Sequence, residues 1–130
     1  MVVVSIASAQ VDNAPKVIAD YVAAKGKKAK VPAEINKMVM GDLNGDGKDD
    51  AVVQYYVQIG YPGNMTSNYV VVFLGSGSTY KFASEMASQT MVPSGIVSKI
   101  VSFDLYNGTD KFTKSGTAKY KLVGKKLVKL

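Results

Sequence analysis

Met38-Val39-Met40-Gly41-Asp42-Leu43-Asn44-Gly45-Asp46-Gly47-Lys48-Asp49-Asp50-Ala51-Val52-Val53-Gln54-Tyr55-Tyr56-Val57 is the stretch on which the fold turns. Its flanks, Met38 to Met40 and Ala51 to Val57, are apolar and rich in β-branched and aromatic residues, which reads as two strands. The loop between them places oxygen-bearing side chains at positions 1, 3, 5 and 9 of a tight, glycine-containing turn, so the hairpin is capped by a candidate cation cage. A calcium ion takes roughly six to eight oxygen ligands. Alternate residues of a curled loop turn Asp42, Asn44 and Asp46 inward, the Lys48 carbonyl fills position 7, and Asp50 closes the set at position 9. Gly47 permits the sharp turn. Position 12 is Val53, where an EF-hand needs a bidentate Glu, so a helix-loop-helix site is excluded. Asn-Gly and Asp-Gly are also the commonest hairpin turn dipeptides, and a metal-free turn is the competing reading. Four acids in nine residues weigh against it, because Asp42, Asp46, Asp49 and Asp50 repel one another unless something positive is bound.

The core from Gly41 to Val53, with Tyr69-Val70-Val71-Val72-Phe73-Leu74-Gly75 after it, resembles the calcium loop of FG-GAP repeats. These are the blade units of integrin α-chain propellers and of many bacterial secreted proteins. The resemblance implies that the side chains of Asp42, Asn44, Asp46 and Asp50 carry the metal and that Tyr69 to Gly75 is the strand that follows. It covers residues from about 41 to 75, in a single copy with no second period, whereas the family builds propellers by repetition. A propeller made by this chain alone is therefore not expected, and the family's partner-binding roles do not carry over. A closed, all-protein ligand set points to a staple that holds the hairpin rather than to a catalytic centre.

Composition narrows the rest. The 130 residues make one domain, large enough to bury a core without disulfides. There is no cysteine and no histidine, which removes thiol nucleophiles, zinc-thiolate sites, Ser-His pairs and the commonest general base near neutral pH. Ser78-Thr79-Tyr80-Lys81 fits the Ser-x-x-Lys pattern, but patterns this short arise by chance in a chain rich in serine and lysine. The remaining acids are too scattered to nominate a glycosidase pair. The expectation is a non-enzyme.

Residues 1–9 read as the tail of a secretory signal, an apolar run ending in Ala7-Ser8-Ala9 without its basic region, leaving residues 10–130 as the domain. No apolar run approaches the length of a membrane span, so a transmembrane chain is not expected.

Net charge is +6, and all sixteen basic residues are lysine. Without arginine there is no bidentate fork for base edges, which argues against sequence-specific nucleic-acid binding. Seven lysines fall between Lys111 and Lys129. Lys119 and Lys121 alternate with Ala118, Tyr120 and Leu122, as on the solvated face of a hairpin; with Lys125 and Lys126 they also offer a basic surface to an anionic envelope component or a protein. The long connection Gly60 to Asn68, with Tyr61 and Met65, is the other candidate contact surface.

Asp12 or Asn13 with Pro15 starts a helix whose apolar stripe is Val17, Ile18, Tyr21 and Val22, and Gly26 is the expected stop. Strands are expected around the acidic loop, over Tyr69 to Leu74, Tyr80 to Met86, Ile96 to Tyr106, and Gly116 to Val123 turning through Gly124-Lys125 into Lys126 to Leu130. The predicted fold is α+β, one N-terminal helix on a meandering antiparallel sheet. The predicted function is a secreted or periplasmic calcium-binding module of bacterial origin. The alternatives are an inhibitor or immunity-type protein that plugs a hydrolase with the Tyr61 loop, and a calcium-assisted hydrolase of an anionic polymer.

Overall fold

In Tyr69 to Leu74, six consecutive residues are apolar or aromatic, so both faces of that strand must be covered, because successive side chains point to opposite sides. The computed structural model describes residues 15–59, 65–106 and 113–130 and supplies both covers. Among these residues one helix, α1 (Lys16–Ala29), precedes eight strands: β1 (Ala33–Gly41), β2 (Asp50–Ile59), β3 (Met65–Ser76), β4 (Thr79–Ala87), β5 (Met91–Val97), β6 (Ile100–Tyr106), β7 (Lys114–Val123) and β8 (Lys126–Lys129). All pairings are antiparallel. The chain is thus α+β, but its strands form two four-stranded meanders, β1-β2-β3-β4 and β5-β6-β7-β8, rather than one sheet.

The division has a physical origin in strand parity. Ala51, Val53, Tyr55, Val57, Val71 and Phe73 pack on Ile18 and Val22 of α1. Their neighbours Val39, Val52, Val70 and Val72 face the other way and would meet water in a single helix-covered sheet. Met91, Val101 and Phe103 of the second sheet bury them instead. Each such apolar side chain, fully covered, contributes about 1.5–3 kcal/mol. The molecule is therefore layered as helix, first sheet, second sheet.

Two expectations are corrected by backbone conformation. The run from Ile96 to Tyr106 is not one strand, because Ser98 (φ 53°) and Lys99 (φ 66°) form a left-handed pair and reverse the chain between β5 and β6. Such turns usually carry Asn-Gly or Gly, so nothing in the sequence flags this one. Gly26 does not end α1 either: it is buried within the helix, which runs on to Ala29 and is capped by Lys30 in the left-handed region. A β-carbon on Gly26 would stand 2.7 Å from the Val31 carbonyl oxygen, so this glycine serves the close return of the chain toward β1. Val17 lies off the buried stripe, at 41% exposure. Asp12 and Asn13 lie outside the described residues, as do residues 1–9.

The helix is also tied down by polar bonds. Tyr21 and Tyr55 both donate their hydroxyls to Oε1 of Glu85 on β4. Burial, and then the bond to Glu85, pushes both phenols well above their ordinary value. Among the described residues, no helix is long and apolar enough to cross a membrane.

Candidate metal centre

The acidic loop spans residues 42–49 between β1 and β2, whose last ladder pair is Gly41 opposite Asp50. Gly45 (φ 83°) and Gly47 (φ 82°) take left-handed conformations that let the backbone curl. Asp42 receives the N–H groups of Gly45 at 2.8 Å and Gly47 at 2.9 Å. The Gly47 N–H, followed by those of Gly45, Asn44 and Asp46, holds the Asp42 carboxyl below the usual carboxylate range, against an opposing effect of desolvation. Asn44 accepts from the Asp46 N–H at 3.3 Å, and Asp46 from the Lys48 N–H at 2.9 Å. These local bonds fix the loop without any long-range partner.

Asp50 is different in kind. It is fully buried, and each of its oxygens accepts one backbone N–H: Oδ2 from Leu43 at 2.7 Å and Oδ1 from Gly75 at 2.8 Å. One carboxylate thus joins the first turn of the loop to the end of β3. Carboxylate oxygens of Asp42, Asp46 and Asp50 lie within 4.8 Å of one another, and this trio could hold a metal ion. Each oxygen keeps a second lone pair after accepting one N–H, so the anchoring bonds do not use up the donor capacity of Asp50. Among the described residues the cluster is built of oxygen alone in a chain without histidine or cysteine, a donor set that fits a hard cation and not a soft one.

Of the five expected ligands, the structure brings the carboxylates of Asp42, Asp46 and Asp50 together. Asn44 holds its local turn in the exposed part of the loop, and Lys48 is tied in through its N–H. Asp49 is exposed and stands outside the trio. Two contributors were not anticipated. Gly75 supplies an N–H to Asp50, and a β-carbon there would lie 2.2 Å from the Asp49 carbonyl oxygen, so only glycine allows β3 to approach the loop. Lys99, from the left-handed β5–β6 turn, lies against the loop: a β-carbon on Gly45 would stand 3.1 Å from its Nζ. The glycine that ends an apolar run was the available sign for Gly75, whereas Lys99 is more than fifty residues away in sequence and gave none.

Of the candidate contact surfaces, Tyr61 lies outside the described residues, and so does the side chain of Met65. Lys119 and Lys121 are exposed on β7, opposite in parity to buried Ala118 and half-buried Tyr120 and Leu122. Lys125 lies in the β7–β8 turn and Lys126 opens β8; both are exposed. Comparison with protein-family models, with curated proteins and with solved structures returns no match.

Proposed function

We propose that this chain is a calcium-stapled, non-enzymatic binding module that works in a secreted or periplasmic setting. The observation that carries the reading is the convergence of Asp42, Asp46 and Asp50, with Asp50 buried and bonded both to the loop and to β3. A cation held there offsets the mutual repulsion of the three carboxylates and ties the β1–β2 hairpin to the neighbouring strand. Bound calcium would supply the positive charge, and the chain's own residues the coordinating oxygens, the curl, the anchoring N–H groups and the close approach at Gly75. The FG-GAP-like spacing of Asp42, Asn44, Asp46 and Asp50 supports calcium as the cation, with the Lys48 carbonyl as a further donor. The Ala7-Ser8-Ala9 pattern supports export. Partners are a protein or an anionic envelope component, met by the lysines of β7 and β8 or by the Tyr61 loop.

Thermal unfolding with calcium, magnesium or chelator tests this. With a dissociation constant near ~10 µM and ~1 mM calcium, linkage gives roughly 2.7 kcal/mol, which for a domain of this size is about 10 °C in Tm. Magnesium should give much less, because it demands octahedral geometry and dehydrates reluctantly. Equal melting temperatures in calcium and chelator would refute the metal reading.

A further inference from the structure

The outward face of the β7–β8 hairpin sets lysines beside aliphatic side chains. Lys119, Lys121 and Val123 alternate with inward Ala118, Tyr120 and Leu122. Strand register places Lys121 beside Val128 and Val123 beside Lys126. On the other side of β7, β6 sets Ser102 beside Lys119 and Ile100 beside Lys121. Val123 is 51% exposed and Val128 44%. Directly opposed residues of an antiparallel pair have Cβ atoms about 4.5–5.5 Å apart, so the charges and the apolar groups share one surface at one depth. The β5–β6 turn, at the same end of the sheet as the β7–β8 turn, adds Val97 at 75% exposure. Within the described part of this sheet the single acid is Asp104, which pairs with Lys114 at 3.1 Å. Among the described residues no acid pairs with Lys119, Lys121, Lys125 or Lys126.

One exposed valine needs no explanation, and a lysine face alone would suit any polyanion. The combination is more selective. A soluble polyanion neutralises the ammonium groups but leaves the valines in water. At the headgroup layer of a membrane, lysine stems lie along apolar surface with their ammonium groups on phosphates, while short aliphatic side chains reach the acyl boundary. We propose that this face docks on an anionic phospholipid surface, with Val97, Val123 and Val128 at the boundary and Lys119, Lys121, Lys125 and Lys126 on headgroup phosphates. The proposal rests on the reading of the chain as a binding module and is independent of the metal.

Co-sedimentation of the full chain with vesicles of phosphatidylglycerol and phosphatidylcholine, against pure phosphatidylcholine, tests it, with a heparin column as the soluble-polyanion control. Wild type should pellet with the anionic vesicles only. Lys119→Gln with Lys121→Gln should weaken partitioning by roughly fivefold per lysine, about twenty-five-fold in all. Val123→Thr with Val128→Thr keeps shape and β-branching; it should lower vesicle partitioning several-fold and leave heparin elution unchanged. Absence of vesicle binding by wild type overturns the proposal. Vesicle binding by the threonine variant equal to wild type overturns it in favour of a general polyanion surface, and a stable dimer lost in that variant overturns it in favour of a second copy of the chain. The calcium-dependent melting shift, read in the same proteins, reports separately on the metal site and on whether each variant folds.

Discussion

Replacing Asp50 by Asn separates the two roles that the structure gives this carboxylate. Asp50 is fully buried and its two oxygens accept N–H groups from Leu43 and Gly75 at 2.7 and 2.8 Å. Asparagine has nearly the same shape but offers one oxygen and one NH2 group, so it can satisfy only one of the two donors and must point its own N–H at the other. A hydrogen bond to a charged group is worth about 1.5–3 kcal/mol, and a buried donor left without an acceptor costs about 1–3 kcal/mol. Together these give a loss of about 2.5–6 kcal/mol, reduced somewhat by the relief of repulsion from Asp42 and Asp46, a large part of the roughly 5–15 kcal/mol that holds a typical domain together. The loss must appear in chelator, where no metal contributes. Asp46→Asn is the matched control: Asp46 is exposed and accepts only the Lys48 N–H, which an amide oxygen still accepts, and losing its charge relieves repulsion from Asp42 and Asp50, so its stability in chelator should be no lower than that of wild type. Chemical denaturation of the three proteins in chelator measures both quantities. If Asp50→Asn lies within about 1 kcal/mol of wild type there, the anchoring argument from the two N–H groups is wrong.

Asp46→Ala should abolish the calcium-dependent melting shift while leaving the fold intact; a retained shift would mean that the trio is not the cage. Gly75→Ala puts a β-carbon 2.2 Å from the Asp49 carbonyl oxygen; a loss of about 1–3 kcal/mol and a smaller calcium shift are expected, and unchanged values would refute the close-approach argument. The hydroxyls of Tyr21 and Tyr55 are raised above 10.0 by burial and by Glu85. A group with a raised folded-state pKa stabilises fully below its unfolded value and loses that contribution as pH rises through the folded-state value, so stability should hold up to about pH 10 and fall above it. Tyrosinate absorbance followed beside circular dichroism checks this; the two phenols ionising near pH 10 in an intact fold would contradict it.

Features set by residues close in the chain were legible from sequence. The spacing of Asp42, Asp46 and Asp50 indicated which carboxylates converge in the loop, and its apolar flanks fixed the hairpin, because a turn and its two strands are neighbours whatever the rest of the chain does. The alternation of Lys119 and Lys121 with Ala118, Tyr120 and Leu122 likewise gave the exposed face of β7 directly. The helix was legible through Ile18 and Val22, though not its end, since Gly26 answers to Val31 and Ala33 rather than to the helix itself.

Tertiary structure decided what depends on partners distant in sequence. The continuous apolar runs of β2 and β3 required two covered faces, but whether a second helix or a second sheet would cover them rested on the reversal at Ser98-Lys99, which has no glycine to announce it. The candidate site shows the same division. Sequence put Asp50 on the ligand list by counting along the loop, whereas its burial and its bond to Gly75, twenty-five residues away, exist only because β3 lies beside β2. A carboxylate's place in a loop follows from local geometry, but its anchoring follows from which backbone donors packing brings within reach, and packing is a property of the whole chain.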